Sequence, residues 1–237
     1  MTLLRERTEG GIEVLRLNRP DVRNAFDTAL IGALTRALDE LAADDSLRVL
    51  VLSTTSPVAL SAGADVAEPL TPEGGIARMR AFSRLYAALE AFPVPTVAVC
   101  VGNVVGAGAE LAAGCDLRVG GDNLKLGWVG ARLGVPVGVA RLVPLVGEAV
   151  AKELIFTGRV LDADGADALG LLTRRAPAAE AEAAALALAS EVAANSPDGL
   201  RRLKAIFREF GGSEERVARE NSGLEAWQRH GAGLPQG

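Results

Sequence analysis

The apolar positions along the chain predict strands that alternate with helices over roughly its first two thirds. Residues 12–17, IEVLRL, alternate in the manner of a strand, and apolar residues then recur at helical spacing behind Asp27, a candidate N-cap. Short, strongly apolar runs at 47–53 and 96–101 suit strands that are buried on both faces, and a helix is predicted between them within 75–92. This repeated order of strand, loop and helix indicates an α/β fold class.

From Gly147 onward the pattern becomes almost wholly helical. An alanine-rich amphipathic segment covers 178–194, and Pro197 opens a further helix that the Gly211–Gly212 pair ends. No linker rich in Ser, Gly or Pro divides the chain, and no repeat of fixed period is evident. We therefore predict an α/β core at residues 1–175 and a helical C-terminal region at 176–237.

Composition narrows the class of protein. The 237 residues are 49% hydrophobic and 23% charged, which is typical of a chain that buries a sizeable core rather than of a disordered one. A net charge of −5 and an aromatic content of 4% disfavour binding to nucleic acid. Because the sequence shows no signal peptide and no long apolar run, we expect no membrane association and a cytoplasmic location.

Few side chains are suited to metal binding or nucleophilic catalysis. The cysteines are Cys100 and Cys115, and the single histidine is His230, so no metal-ligand cluster is predicted. Two cysteines also suit a reducing compartment. A Ser-His-Asp or Cys-His mechanism would have to recruit His230 from the C-terminal tail, and this disfavours both mechanisms.

The segment at 99–111, VCVGNVVGAGAEL, carries the strongest chemical signal. A buried strand runs there into small residues and then into a helix, and such a turn exposes backbone N–H groups at the positive end of the helix dipole. These donors can hold an anion or a developing oxyanion, although a tight packing turn is the alternative. A dinucleotide-binding fingerprint fails because its third small residue would fall at Leu111, and no GxxxxGK[ST] motif occurs.

Glu110 lies in this segment, within an apolar stretch from Val104 to Ala113. An ionised carboxylate buried there without partners would be costly, and burial favours a raised pKa suited to proton transfer. A structural ion pair or an exposed glutamate in the first helical turn is the alternative interpretation.

A second loop of small residues, LSAGAD at 60–65, can also present backbone N–H groups, so the two loops could converge. Asp65, at the end of this loop, is better explained by its own type and position as a cap or a loop-stabilising acceptor than as a catalytic group.

Four segments, in this order and spacing, resemble the crotonase superfamily, the enoyl-CoA hydratase/isomerase group: VLRLNRPDVRNAFD, LSAGAD, GAGAELAAGCDLRV and LIFTGRVLDADGADALGLLTR. The resemblance covers about residues 5–175. It implies a spiral of ββα units with a helical C-terminal region used in trimerisation, in a homotrimer or a hexamer of two trimers. It also implies an acyl-CoA thioester substrate, with coenzyme A as part of the substrate and no separate cofactor.

The same resemblance implies roles for individual residues. The N–H groups of Ala64 and Ala107 match the family's oxyanion hole, where the family usually has glycine at the second place, and Glu110 matches the first of the hydratases' two catalytic glutamates. The positions where the family contacts coenzyme A or the substrate are Arg23, Ala25, Ala62, Ala64, Asp65, Gly106 and Ala107.

The second hydratase glutamate is missing. Its loop corresponds to KLGWVGARLGVP, which puts Gly130 at the carboxylate position, and no acidic residue occurs between Asp122 and Glu148. Hydration needs one group to activate water and another to manage the proton at the α-carbon, so we expect double-bond isomerisation to be favoured over hydration. A replacement acid would have to come from another segment, for which Asp65 and Glu68 are candidates.

Other interpretations of this loop and of the reaction stay open. Trp128 and Arg132 are candidates for shaping the acyl pocket, and burial in the core is the alternative for Trp128. Thioester hydrolysis and decarboxylation use the same oxyanion hole, and a catalytically degenerate subunit that binds CoA esters is the non-enzymatic alternative.

Overall fold

The computed structural model describes residues 1–231, 233 and 234, and within these residues the chain forms nine strands and eight α-helices. The strands are β1 (Leu3–Thr8), β2 (Ile12–Leu17), β3 (Val49–Thr54), β4 (Ala59–Ser61), β5 (Thr96–Cys100), β6 (Asn103–Val105), β7 (Leu117–Gly121), β8 (Lys125–Gly127) and β9 (Arg174–Ala176). The helices are α1 (Thr28–Ala42), α2 (Pro72–Glu90), α3 (Ala107–Gly114), α4 (Val139–Thr157), α5 (Ala163–Ala168), α6 (Ala181–Ala193), α7 (Pro197–Gly211) and α8 (Ser213–His230).

The strands form two sheets. The larger sheet has the order β1-β2-β3-β5-β7-β9, in which β1 is antiparallel to β2 and all other pairs are parallel. The smaller sheet has the order β4-β6-β8 and is parallel. Each of three successive turns of the chain adds one strand to each sheet and then a helix, namely β3-β4-α2, β5-β6-α3 and β7-β8-α4. This is the predicted spiral of ββα units, and the predicted α/β fold class is confirmed.

The core lies on both faces of the larger sheet, which explains why β3 and β5 are almost continuously apolar. One face packs with side chains of α1, α2 and α3 in the main hydrophobic cluster. The other face is covered by α6, whose buried alanines belong to a second cluster with the valines of the strands. Because alanine is small, the predicted alanine-rich segment approaches the sheet closely.

Strand β9 crosses residue 175, the predicted boundary of the core, and extends the larger sheet beside β7. The helices α6, α7 and α8 then complete the chain, and α8 packs against α2 and α4 of the spiral. The division into a core at 1–175 and a helical region at 176–237 stays a prediction, and residues 232 and 235–237 of that region lie outside the described residues. Within the part of the chain that the structure describes, none of the helices has the length and apolar character needed to span a membrane.

Candidate active site

The two loops rich in small residues come together at the ends of β4 and β6. These strands pair in parallel, Ala59 with Asn103 and Ser61 with Val104, so the loops that follow them leave the sheet side by side. A Cβ atom built on Gly63 would lie 3.6 Å from the backbone nitrogen of Ala107. The structure therefore brings the loop at 60–65 against the start of α3.

Each loop offers one backbone N–H group at this meeting point. Phe26 N–H donates to Gly63 O (2.8 Å) and Asp65 N–H donates to Phe26 O (3.0 Å), a parallel bridge that leaves the N–H of Ala64 directed away from it. Ala107 is the first residue of α3, where a helical N–H has no partner within the helix. Among the described residues neither N–H has a hydrogen-bond partner, and both alanines are partly exposed. Both N–H groups are therefore candidate donors to a ligand oxygen.

Asn24 anchors the loop that carries Arg23 and Ala25 to strand β4, beside the loop at 60–65. Asn24 is fully buried and adopts a left-handed conformation (φ 52°), and its side-chain amide donates to the carbonyl oxygen of Leu60 (3.0 Å). Ala62 N–H donates to the carbonyl oxygen of Arg23 (2.9 Å). Three of the predicted CoA-contacting residues thus share one region, where the Arg23 side chain is exposed to solvent. The anchoring role of Asn24 was not predicted.

The carboxylates of Asp65 and Glu68 contact arginine side chains and do not contact Glu110. Asp65 accepts a hydrogen bond from Arg19 Nη1 (3.1 Å), which fits its interpretation as a loop-stabilising acceptor. Glu68 lies 3.4 Å from Arg78 Nη1. The structure therefore does not bring either candidate replacement acid to Glu110, and the contact of Asp65 with coenzyme A stays a prediction.

Glu110 lies in the first turn of α3, three residues beyond Ala107, and its side chain is completely buried. Its Oε1 accepts a hydrogen bond from Trp128 Nε1 (2.7 Å), and its Oε2 accepts one from Arg141 Nη1 (2.6 Å). Both donors come from outside α3, Trp128 from the segment after β8 and Arg141 from α4. The carboxylate is therefore held from two sides, which offsets much of the free-energy cost of its burial.

The same arginine, Arg141, also binds a second carboxylate, that of Glu220. Arg141 Nη1 also donates to Glu220 Oε1 of α8 (2.8 Å), and the guanidinium lies 4.3 Å from the centre of the Tyr86 ring. Glu220 Oε2 in turn accepts the N–H groups of Gly138 (3.0 Å) and Ala140 (2.9 Å) at the start of α4. We call Glu110, Arg141 and Glu220 the buried ion cluster.

The surroundings of Glu110 tune its protonation. Burial raises the pKa of Glu110 to about 7, and the negative charge of Glu220 acts in the same direction. The positive charge of Arg141 and the hydrogen bonds from Arg141 and Trp128 act in the opposite direction. A carboxyl group poised near neutral pH can both take up and release a proton, as a general base must.

The loop expected to carry a second glutamate contributes an indole instead. Trp128 is buried, as its core interpretation predicted, and it also binds Glu110. Arg132 is exposed and donates to the carbonyl oxygen of Gly158 (2.9 Å), so it takes no part in the buried ion cluster. A Cβ atom on Gly130 would lie 3.2 Å from the carbonyl oxygen of Val135, so a side chain there requires the loop to shift slightly.

Arg141 and Glu220 were not identified from the sequence. Arg141 interrupts the apolar run VARLVPL, which is the same signal that singled out Glu110. Glu220 lies in a helix rich in charged residues, where no local pattern distinguishes it from its neighbours. Only the packing of α8 on the spiral shows that Glu220 lies beside Arg141.

Known proteins share both the sequence pattern and the fold. The sequence profile of the enoyl-CoA hydratase/isomerase family matches residues 7–222. A putative enoyl-CoA hydratase of Thermus thermophilus is 38% identical over 241 residues, covering 97% of this chain and 93% of the relative. The probable enoyl-CoA hydratase echA8 of Mycobacterium bovis is 34% identical over 213 residues, covering 88% and 82%. The crystal structure of an enoyl-CoA hydratase from Bacillus anthracis superposes with a TM-score of 0.84 at 26% identity, over the full length of both chains.

Proposed function

Because the chain belongs to the enoyl-CoA hydratase/isomerase family, we propose that it is an enzyme that converts acyl-CoA thioesters through an enolate. One observation carries this proposal. The first turn of α3 holds both a backbone N–H that has no hydrogen-bond partner among the described residues, at the partly exposed Ala107, and a buried carboxylate whose pKa is raised to about 7, at Glu110. A donor for a developing oxyanion and an acceptor for a proton are therefore fixed on the same rigid element.

The N–H groups of Ala64 and Ala107 form the proposed oxyanion hole. Removing the α-proton of a thioester moves negative charge onto its carbonyl oxygen, and two preorganised donors stabilise that charge more strongly than the neutral ground state. Alanine at position 107 keeps the backbone N–H that the family's usual glycine would provide. The departure from glycine therefore leaves the proposed hole intact.

Glu110 is the proposed proton carrier. In the isomerisation of a 3-enoyl thioester, its carboxylate takes the proton from C2, and the electron pair of that C–H bond delocalises into the dienolate. The carboxylic acid formed then returns the proton at C4 while the double bond moves to C2–C3. One carboxylate suffices for both steps, and no water is consumed.

We favour isomerisation over hydration because, among the described residues, no second carboxylate beside Glu110 is free to activate a water molecule. Glu220 is the acid that shares an arginine with it, and both Glu220 oxygens are bound by Arg141 or by the start of α4. Hydration is the second candidate, favoured by the relatives, whose names describe hydratases. Hydrolysis and decarboxylation remain further alternatives with the same oxyanion hole.

Binding of the coenzyme A moiety is proposed for Arg23, Ala25, Ala62, Asp65 and Gly106, together with the two oxyanion-hole alanines. The exposed Arg23 guanidinium is suited to a phosphate group, since arginine binds phosphate through charge-assisted hydrogen bonds. The proposed assembly is a homotrimer or a hexamer of two trimers, and the proposed location is the cytoplasm.

Product analysis tests the reaction. The protein is incubated separately with a 3-enoyl-CoA and a 2-enoyl-CoA of equal chain length, and the products are separated by chromatography. We expect interconversion of the two enoyl thioesters, with little 3-hydroxyacyl-CoA. Dominant 3-hydroxyacyl-CoA would replace isomerisation by hydration, release of free CoA thiol would indicate hydrolysis, and recovery of both substrates unchanged would contradict an enoyl-CoA-converting enzyme.

A further inference from the structure

The buried ion cluster connects the proposed base to the C-terminal helix α8. Arg141 Nη1 lies 2.6 Å from Glu110 Oε2 and 2.8 Å from Glu220 Oε1, so one nitrogen bridges the two carboxylates. The side chains are nearly inaccessible to solvent, with exposed fractions of 0% for Glu110, 2% for Arg141 and 8% for Glu220. Solvent therefore screens these charges little.

The contacts fix the orientation of the Glu110 carboxylate. Trp128 holds one oxygen and Arg141 the other, and each oxygen keeps a further lone pair for a substrate proton. Arg141 is itself held by Glu220 and by the face of Tyr86, and Glu220 is held by two backbone N–H groups of α4. A continuous series of contacts thus runs from the start of α4, through α8, to the carboxylate.

The charges of the cluster also favour proton uptake. When Glu110 is ionised, two carboxylates share one guanidinium, and the buried cluster carries a net negative charge. When Glu110 accepts a proton, the pair of Arg141 and Glu220 remains and the cluster becomes neutral. Because an uncompensated buried charge is unfavourable, Glu220 makes Glu110 a better proton acceptor than Arg141 alone would allow.

We propose that Arg141 is a positioning residue for Glu110, and that Glu220 acts through Arg141 to couple helix α8 to the proposed base. This inference rests on the proposed function, since it takes Glu110 to be the group that moves the proton. Neither Arg141 nor Glu220 needs to contact the substrate in this role.

The inference predicts opposite pH shifts for the two partners. The charged and titratable groups that face Glu110 are Arg141 of α4, Glu220 of α8 and Tyr86 of α2, beside the neutral Trp128. Arg141→Met removes the positive charge, so the pKa of Glu110 should rise and the acid limb of kcat/KM should move up by about one pH unit or more. Glu220→Gln removes the negative charge, so the acid limb should move down by about one unit.

The experiment compares pH profiles of turnover for wild type, Arg141→Met, Arg141→Lys and Glu220→Gln. We expect the wild-type acid limb near pH 7, since Glu110 must be ionised to accept a proton and burial raises its pKa to about 7. In Arg141→Met, kcat should fall by about 10²-fold with a smaller change in KM, because misplacement of a reacting group acts on the transition state. Arg141→Lys keeps the charge and should restore the position of the acid limb.

The matched control is Glu225→Gln, which also removes a carboxylate of α8 that pairs with an arginine of the spiral. Glu225 is partly exposed and lies 3.4 Å from the exposed Arg80 Nε, outside the cluster. We expect this variant to keep the wild-type profile. Far-UV circular dichroism and thermal unfolding check that each variant is folded, and if Arg141→Met does not fold, the downward shift of the acid limb in Glu220→Gln, absent in Glu225→Gln, decides between the two outcomes.

A measurement that does not depend on catalysis tests this inference separately from the proposed function. The indole N–H resonance of Trp128, assigned by its loss in Trp128→Phe, should titrate with Glu110 in wild type and shift its midpoint in opposite directions in Arg141→Met and Glu220→Gln. Unchanged midpoints, or shifts in the same direction, would overturn the positioning role even if Glu110→Gln is inactive. Wild-type turnover in Glu110→Gln would instead overturn the proposed role of Glu110 as proton carrier.

Discussion

At the scale of single residues, the site depends on how a carboxylate is held inside an apolar core. Burial alone would favour the neutral acid, whereas a close guanidinium alone would favour a permanently ionised group of little use as a base. Glu110 has both, together with an indole donor and a second carboxylate, and its pKa is raised to about 7. The competition between burial and Arg141 therefore supplies the tuning that the proposed proton transfer near neutral pH requires.

Residues whose position follows from their neighbours in the chain could be predicted, and residues placed by tertiary packing could not. Glu110 is conspicuous because an acidic side chain interrupts an apolar stretch, and the structure shows that it is both buried and ion-paired with Arg141, the latter being one of the alternatives left open by the sequence. Asn24 was overlooked because its role lies in hydrogen bonds to β4 and the strand before it, formed by residues thirty or more positions away. Glu220 was overlooked because it faces the site only once α8 packs on α2 and α4.

At the scale of elements, the proposed oxyanion hole depends on the close packing of α3 against β4. A Cβ atom on Gly108 would lie 2.5 Å from the carbonyl oxygen of Ser61, so helix and strand touch backbone to backbone at this point. Gly108→Ala should push α3 away from β4 and thereby move the N–H of Ala107 relative to that of Ala64. We expect turnover to fall by about 10²-fold and stability to fall by about 1–3 kcal/mol, as measured by initial rates and urea unfolding.

Gly114→Ala on the same helix is the control for this prediction. Its added Cβ would meet the Leu89 side chain at 3.0 Å, and a side-chain end can move where a backbone carbonyl cannot. We expect Gly114→Ala to retain most of the wild-type rate. Equal rates in the two variants would show that the spacing of α3 and β4 does not matter for catalysis.

The long elements were predicted more reliably than the short ones. Helix α1 begins behind Asp27 as expected, with the Asp27 side chain accepting the N–H of Leu30, and β2 has the predicted bounds. The strands β4, β6 and β8 were not resolved as separate strands, since three residues are too few to show a period. The edge strand β1, LLRERT, was missed because its consecutive charged residues obscure the alternation of apolar and polar positions.

At the scale of the whole molecule, helix α7 carries an apolar surface that the single chain leaves uncovered. Leu203, Ile206, Phe207 and Phe210 recur at helical spacing on one side of α7, with exposed fractions from 48% to 90%. An exposed apolar surface of this kind is typical of a protein interface. We predict a trimer or hexamer in solution, and Phe207→Lys combined with Phe210→Lys should shift the mass measured by light scattering toward the monomer.

The control is Glu209→Lys, which changes the net charge by the same amount at an exposed position of α7 off this apolar row. It should keep the oligomer intact. A monomeric wild-type protein at micromolar concentration would contradict the predicted assembly, and an unchanged mass in the double variant would place the interface elsewhere.

The overall architecture could be predicted because the order of family-like segments fixes which strands and helices follow one another. The packing of the C-terminal helices was harder to predict, since α8 is polar over most of its surface and no local sequence pattern identifies the helices that it packs against. In the structure α8 reaches the site through Glu220, whereas α7 turns its apolar row outward. These two adjacent helices thus have different surroundings.

Exchange of the α-hydrogen of a saturated acyl-CoA with solvent deuterium is the most direct test of the central claim, that Glu110 removes an α-proton from a bound thioester. Butyryl-CoA is incubated in D2O with wild type, with Glu110→Gln, and with Glu148→Gln as a control at an exposed glutamate that pairs only with Lys152 among the described residues. Deuterium at C2 is followed by mass spectrometry, and CoA-ester binding is measured by calorimetry. We predict exchange by wild type and by Glu148→Gln, and a loss of about 10²- to 10⁴-fold in Glu110→Gln with binding retained, because the amide keeps the shape of the side chain but cannot accept the proton. Exchange by Glu110→Gln at the wild-type rate would contradict the claim and assign the base to another residue.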